Sequence, residues 1–188
     1  TFLKRGQKRF VFDSPNTNFL RRIKDVTFVS KTKLKMNPKI KGEYNVNNIS
    51  LAVAVAQVLG IDEKTIIKAI NSFSGVPRRY EYLGQYKNAK IFIDYAHHPT
   101  ELKSFIEAFS NEFKEYKIVF QPHTYSRTKM FLPEFVSALK DVKNLCIFKE
   151  YPAREKPSAG LSAHDLYLEL KKYNQNVKYI ASTKSLFN

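Results

Sequence analysis

The chain has 188 residues, a hydrophobic content of 43% and a single cysteine. This composition allows a packed core and argues against disorder, and one cysteine excludes a disulfide framework or a cysteine metal site. The net charge of +15 would suit a nucleic-acid-binding module, but residues 1–42 hold twelve Lys/Arg against two acids, so the excess lies in one leading segment. Such a module therefore stays an alternative, and we expect no nucleic-acid partner. With no long apolar run and no signal-peptide pattern, we expect a cytoplasmic protein without a membrane partner.

The first part of the chain mixes short strands with two helices. Strands are predicted at residues 9–13, 25–29 and 33–36, with turn signals between them. A helix follows from Asn45 to Leu59, and Asp62 is placed as the N-cap of a second helix. The break at residues 74–77 predicts a domain boundary, which gives one domain over residues 1–75 and another over residues 76–188.

The second part alternates strands with helices. Strands are predicted at residues 79–83, 90–94, 117–120, 145–148 and 177–180. Helical patterns follow Pro99, include Phe135 and Leu139, and begin at the capping box of residues 162–165. This alternation predicts the α/β class, with a mostly parallel sheet that includes the strand at residues 90–94.

Ionisable residues collect where predicted strands end and helices begin. They are Asp94, Tyr95, His97, His98, His123 and Arg127. Open α/β sheets bind ligands at the carboxyl ends of their strands, so we expect a binding site here. A carboxylate can accept two hydrogen bonds from a ribose diol, and arginine suits a carboxylate or a phosphate. Metal binding by the adjacent histidines is a weak idea, because no further cysteine or acid has ligand spacing.

Residues elsewhere could complete a nucleotide site. Arg79 follows the predicted domain boundary and could reach a phosphate, while Asn45 and Asn48 could bind an adenine edge, or Asn45 could simply cap its helix. The sequence contains no GxxxxGK[ST] loop and, with six glycines, no dinucleotide fingerprint. A nucleotide-dependent reaction would therefore need a phosphate cradle from outside this chain.

Five motifs, in order along the chain, together resemble the Mur ligase family. They are G-x-x-N-x-x-N from Gly42, GVPRRYE at residues 75–81, DYAHHPTE at 94–101, FQPHTYSRT at 120–128 and YPAREKP at 151–157. The resemblance covers residues 42 to about 165, and residues 1–41 match poorly. The double histidine followed by FQPHTYSRT is similar to the alanine-adding branch of the family and to its peptide-recycling relative.

The resemblance implies a three-domain enzyme. In it, residues 1–75 would be the tail of the central ATPase domain, and residues 76–188 a Rossmann-like C-terminal domain that lacks its final strand. The implied reaction joins L-alanine to UDP-N-acetylmuramate in peptidoglycan synthesis, using ATP and an acyl phosphate. The alternative amino substrate is a recycled tripeptide. The phosphate loop and the Mg²⁺ ligands would lie upstream, so we expect no metal ligand in this chain and no activity from it alone.

The resemblance also implies roles for matching residues. The ATP-binding set comprises Asn45, Asn48, Arg79 and Asp94. The catalytic set, which would orient the alanine and the acyl group, comprises His97, His123 and Arg127. The substrate-binding set comprises these three residues together with Tyr95 and His98. Tyr44 stands where the family usually has a histidine, so no role is carried over to it.

Overall fold

The computed structural model describes residues 8–23, 25–40 and 42–186. The chain forms two compact units, Thr1–Asp94 and Tyr95–Asn188. The assignment of residues 1–75 and 76–188 to two domains of a larger enzyme stays a prediction. Within the described ranges, no helix is both long and apolar enough to cross a membrane.

Before its hairpin, the first unit has two strands and two α-helices among its described residues. The elements are β1 (Arg9–Phe12), β2 (Val26–Val29), α1 (Glu43–Val58) and α2 (Glu63–Ser72). Strands β1 and β2 pair in parallel, joined by a 3-10 helix at Pro15–Arg22. Asp62 caps α2 by accepting a hydrogen bond from Thr65 N at 3.0 Å, which confirms the predicted N-cap. A small core between the helices contains Ile49, Val53 and Ile66.

The strand predicted at residues 33–36 is wrong, because this segment has no regular secondary structure and pairs with no strand in the described part of the chain. Leu34 and Met36 pack against the core of α1 and α2 instead. Neighbouring backbone donors use helix side chains: Thr32 N donates to Ser50 Oγ, and Asn37 N donates to Asn71 Oδ1. Half-buried and exposed side chains alternate in this segment because one of its faces packs against the helices, and not because it belongs to a sheet.

A hairpin ends the first unit. Its strands are β3 (Glu81–Tyr86) and β4 (Ala89–Ile93), which pair antiparallel. The prediction that the strand before Asp94 belongs to the parallel sheet is therefore wrong. Only two residues connect β3 to β4, and such a connection permits an antiparallel pair, since parallel neighbours need a long crossover.

The second unit is a parallel sheet covered by helices. Its elements are α3 (Pro99–Glu112), β5 (Ile118–Phe120), α4 (Tyr125–Met130), α5 (Leu132–Leu139), β6 (Leu145–Phe148), α6 (Ala163–Lys171) and β7 (Lys178–Ile180). The strand order is β5-β6-β7, with Ile118 opposite Leu145 and Cys146 opposite Lys178. The predicted α/β class with a parallel sheet and flanking helices is confirmed.

Buried apolar residues from the sheet and its helices form the main core. Among them, Leu139, Ile147, Leu166 and Leu170 have no exposed surface. Ser162 caps α6 in the predicted capping box, with Asp165 N donating to Ser162 Oγ at 3.2 Å. This core supports the strand ends at which the histidines lie.

Candidate functional site

In the first unit, a buried carboxylate lies at the end of β4. The side chain of Asp94 is only 6% exposed, and its Oδ2 accepts a hydrogen bond from Tyr80 N at 2.8 Å. Arg79 Nη1 lies 3.8 Å from Asp94 Oδ1, while the arginine side chain is 39% exposed. We call Tyr44, Arg79, Tyr80 and Asp94 the carboxylate cluster. It brings together two of the predicted ATP-binding residues, Arg79 and Asp94.

The backbone around Arg79 is unusual. Arg78 and Tyr80 have φ values of +59° and +50°, in the left-handed region that costs an L-residue roughly 1–2 kcal/mol. Arg78 N donates to Glu81 Oε2 at 2.5 Å, and the turn directs Tyr80 N toward Asp94. Two strained residues on either side of Arg79 are retained because these hydrogen bonds hold them, a pattern found at functional sites.

Tyr44 belongs to this cluster, although the sequence assigned it no role. Burial and then the negative charge of Asp94 raise the pKa of Tyr44, while a hydrogen bond from Asn45 and the charge of Arg79 lower it. The hydroxyl therefore stays protonated near Asp94. Asn45 is half-buried in the same region, whereas Asn48 is exposed on α1. Their contact with adenine stays a prediction.

In the second unit, aromatic and cationic side chains meet where strands end. The rings of His97 and His123 lie 5.9 Å apart between their centroids, and Tyr95 lies 5.4 Å from His97. Arg127, in the first turns of α4, lies beside His123. We call Tyr95, His97, His123 and Arg127 the imidazole cluster. It contains all three predicted catalytic residues.

The neighbours of the two imidazoles determine where each carries its proton. His97 Nδ1 lies 2.9 Å from the carbonyl oxygen of Tyr95, which can only accept, so this nitrogen must donate. His123 Nδ1 lies 3.0 Å from Arg127 Nη1, which can only donate, so this nitrogen must accept. His123 is therefore neutral, with its proton on Nε2.

The electrostatic surroundings of His123 agree with that assignment. Burial, the charge of Arg127 and the proximity of His97 lower the pKa of His123, with burial the largest cause. When His97 is neutral, its Nε2 has a free lone pair. The cluster thus offers an acceptor on His97 and donors on His123 and Arg127, which is the complement of an amine next to an acyl or carboxylate oxygen.

His98 lies in a different position from the imidazole cluster. Its Nδ1 accepts from Thr100 N at 3.3 Å as the N-cap of α3, and its ring packs on Phe131 at 4.6 Å. Its predicted contact with substrate stays a prediction.

No role was predicted for Glu101, yet it contacts the backbone beside the imidazole cluster. Its Oε2 accepts from His97 N and His98 N at 3.2 and 3.4 Å. The spacing of an N-cap and a glutamate three residues later could have revealed it.

The loop after β6 borders the imidazole cluster. The ring of Tyr151 lies 5.4 Å from His123, and these two residues form an isolated parallel bridge. Glu155 accepts from Ser126 N and Oγ at 2.8 and 2.5 Å. The motif at residues 151–157 did not predict these contacts. Ser126 and Glu155 are 29 positions apart, so a local sequence pattern cannot show that they meet.

The polar and charged side chains of the described residues indicate which chemical groups they suit. A carboxylate beside a partly exposed guanidinium has the chemistry that suits a ribose diol and a phosphate, and the binding of a nucleotide by Asp94 and Arg79 stays a prediction. No group of three or more His, Cys, Asp or Glu side chains that could hold a metal occurs among the described residues. The expectation that the Mg²⁺ ligands lie outside this chain stays a prediction.

Comparison with known proteins identifies the family. The family profile described as "Mur ligase, glutamate ligase domain" matches residues 78–188. A UDP-N-acetylmuramate–L-alanine ligase from Caldicellulosiruptor saccharolyticus is 43% identical over 148 residues, which cover 78% of this chain and 32% of the relative. The same-named protein from Carboxydothermus hydrogenoformans is 31% identical over 97% of this chain and 42% of its own length. The chain therefore belongs to the Mur ligase family.

Solved structures share the fold. UDP-N-acetylmuramate-alanine ligase from Thermotoga maritima has a TM-score of 0.64 at 24% identity, covering 81% of this chain and 33% of its own. Folylpolyglutamate synthase from Mycobacterium tuberculosis also has a TM-score of 0.64, at 15% identity over 87% of this chain and 42% of its own. This chain spans between about a third and two fifths of the length of these relatives.

Proposed function

We propose that this chain is part of a ligase that joins L-alanine to UDP-N-acetylmuramate in peptidoglycan synthesis, with ATP, in the cytoplasm. The observation that carries the proposal is the imidazole cluster, in which His97 offers an acceptor while His123 and Arg127 offer donors. Relatives at 31–43% identity that bear the name of this ligase support the same substrates.

Each residue of the cluster suits one part of an amide-forming reaction. The amine of alanine attacks an activated acyl carbon, a C–N bond forms, the leaving group departs and the nitrogen loses a proton. The lone pair on His97 Nε2 suits that proton. The N–H groups of Arg127 and His123 Nε2 suit the acyl oxygen or the carboxylate of alanine, and Tyr95 lines the same region.

We propose that the ATP-binding set, which lies in the first unit, binds the nucleotide. ATP supplies the phosphoryl group that activates the muramate carboxylate, with release of ADP. Asp94 is proposed to accept hydrogen bonds from the ribose, Arg79 to bind phosphate, and Asn45 and Asn48 to contact adenine. We propose that Mg²⁺ is bound by parts of the enzyme outside this chain, and that this chain alone does not catalyse the reaction.

The test uses the full-length enzyme that contains this chain. We expect ATP-dependent ligation of L-alanine, and we expect His97→Ala and Arg127→Ala to lower kcat/KM by at least about a hundredfold, a typical loss for an acid–base or charge-stabilising group. His164→Ala is the matched control, because His164 is an exposed histidine on α6. Ligation of the tripeptide in preference to L-alanine would instead establish the peptide-recycling reaction.

A further inference from the structure

The short helix α4 carries Arg127 but lacks a side-chain cap of its own. It has six residues, fewer than an isolated helix needs for stability in water. The residue before it, Thr124, makes no side-chain cap and has a φ of +70°, which is unfavourable for a β-branched residue. The position of Arg127 therefore depends on contacts from elsewhere in the chain.

Glu155, in the loop after β6, supplies such a contact. Its Oε2 accepts from Ser126 N at 2.8 Å, and its Oε1 accepts from Ser126 Oγ at 2.5 Å. These hydrogen bonds, that of the side chain first, lower the pKa of Glu155, so the carboxyl group is charged near neutral pH. Hydrogen bonds to a charged acceptor are about twice as strong as neutral ones. A negative charge also favours the first turn of a helix.

The loop that carries Glu155 is also bound to the segment that carries His123. Tyr151 N donates to Pro122 O, and Thr124 N donates to Tyr151 O, both at 2.9 Å. Leu161 N, farther along the same loop, donates to Tyr125 O at 3.1 Å. One connection thus contacts the chain on both sides of His123 and at the start of α4.

We propose that Glu155 is a positioning residue that acts through Ser126 to hold the Arg127 guanidinium against His123 Nδ1. Glu155 itself does not contact substrate. The inference rests on the proposed function, because it assigns Glu155 a part in binding the amino acid and the acyl group. The residues proposed to bind ATP are a separate set in the first unit. Loss of Glu155 should therefore weaken the binding of L-alanine and leave the binding of ATP unchanged.

The first experiment compares Michaelis constants in the full-length enzyme. Glu155→Ala is expected to raise the KM for L-alanine about tenfold, the effect of losing one charged hydrogen bond, and to leave the KM for ATP unchanged. Glu155→Gln keeps an oxygen acceptor and should restore part of the affinity. Glu134→Gln, an exposed glutamate in the first turn of α5, is the matched control and should change neither constant. An equal rise in both KM values, or no rise, would overturn the proposal.

A double-mutant cycle tests whether Glu155 acts through Arg127. In an Arg127→Ala background, adding Glu155→Ala should raise the KM for L-alanine no further, because the guanidinium that Glu155 positions is already gone. A full additional tenfold rise would show that the two residues act independently and would refute the positioning role.

Hydrogen exchange provides a measurement that does not depend on activity. In the same full-length protein, Glu155→Ala should speed amide exchange in the peptide that spans residues 123–130, whereas Glu134→Gln should not. If the wild-type enzyme does not ligate L-alanine, the proposed function fails, and exchange in this peptide still decides whether Glu155 holds α4. Unchanged exchange would reject that role.

Discussion

The carboxylate cluster and the imidazole cluster are held in place by different means. The imidazole cluster lies at the ends of strands backed by a core that includes Leu139, Leu166 and Leu170. The carboxylate cluster lies beside a two-stranded hairpin, in a unit whose described core contains the buried residues Ile49, Val53 and Ile66. Its geometry depends on the hydrogen bond from Tyr80 N and on the charge of Arg79. Substitution of buried apolar residues should therefore disturb the imidazole cluster, whereas loss of a polar or charged partner should disturb the carboxylate cluster.

The largest effect is expected from the core behind the imidazole cluster. Leu166→Ala removes a side chain with no exposed surface and should lower the free energy of unfolding by about 3 kcal/mol, through lost burial and a cavity. Urea denaturation measures this loss, and histidine NMR signals report on the cluster. Val53→Ala, in the small core of the first unit, is the control and should leave the signals of His97 and His123 unchanged. A loss below about 1 kcal/mol from Leu166→Ala would contradict the contrast between the units.

The next effect concerns the buried carboxylate. Asp94→Ala leaves Tyr80 N without this acceptor and removes the charge that faces Arg79, so we expect a loss of about 2 kcal/mol in the free energy of unfolding. Arg79→Ala should cost under about 1 kcal/mol, because that side chain is 39% exposed and its charge is screened by solvent. Denaturation curves of both variants and of Asp94→Asn, which keeps an acceptor oxygen, test this order. Equal losses for Asp94→Ala and Arg79→Ala would show that the buried carboxylate is not the dominant group.

A smaller effect is expected from a close backbone approach near α4. A Cβ at Gly160 would lie 2.0 Å from Tyr125 O, so Gly160→Ala must displace the loop from α4 and should cost about 1–3 kcal/mol. Ser158→Ala, at an exposed position in the same loop, serves as the control. Thermal unfolding of both variants gives the comparison. Wild-type stability in Gly160→Ala would mean that this loop moves freely relative to α4.

The smallest effect is a change in titration. Arg127→Ala removes one of the causes that lower the pKa of His123, so this pKa should rise part of the way to its ordinary value, since burial remains. The native state holds His123 neutral. The stability of the native state is therefore unaffected by His123 above the ordinary histidine pKa, and it declines as the pH falls below that value, because the unfolded state then binds a proton more readily. NMR titration of the ring protons measures the pKa, with Lys129→Ala as the control cation on the same helix. A fall in the pKa of His123 would show that Arg127 is not the charge that acts on it.

Local pattern predicted several elements correctly for identifiable reasons. Asp62 and Ser162 have side chains that accept from the first turn of a helix, and Pro99 has a φ suited to helix entry. These signals depend on residues only a few positions apart. The histidines were grouped on the expectation that both follow parallel strands, but only His123 does, because His97 follows the antiparallel strand β4.

Other features depend on long-range partners and were beyond the reach of local pattern. The alternation that marks β4 says nothing about its partner, so its antiparallel pairing with β3 was missed. The left-handed turns at Arg78 and Tyr80 lack the glycine that usually marks them. The tautomers of His97 and His123 depend on a carbonyl and a guanidinium whose positions only the fold determines.

The parallel bridge between His123 and Tyr151 has a consequence for the thermodynamics of ligand binding. It resumes the pairing of β5 with β6 beyond Pro122, through the donation of Thr124 N to Tyr151 O. The backbone of His123 is thereby restrained as in a strand, although it lies in a loop. Fixing the backbone of one residue costs about 1–2 kcal/mol, and for His123 this entropy is lost during folding rather than on binding. The proposed substrate L-alanine can make few contacts, so its binding should gain most from a site that is already ordered.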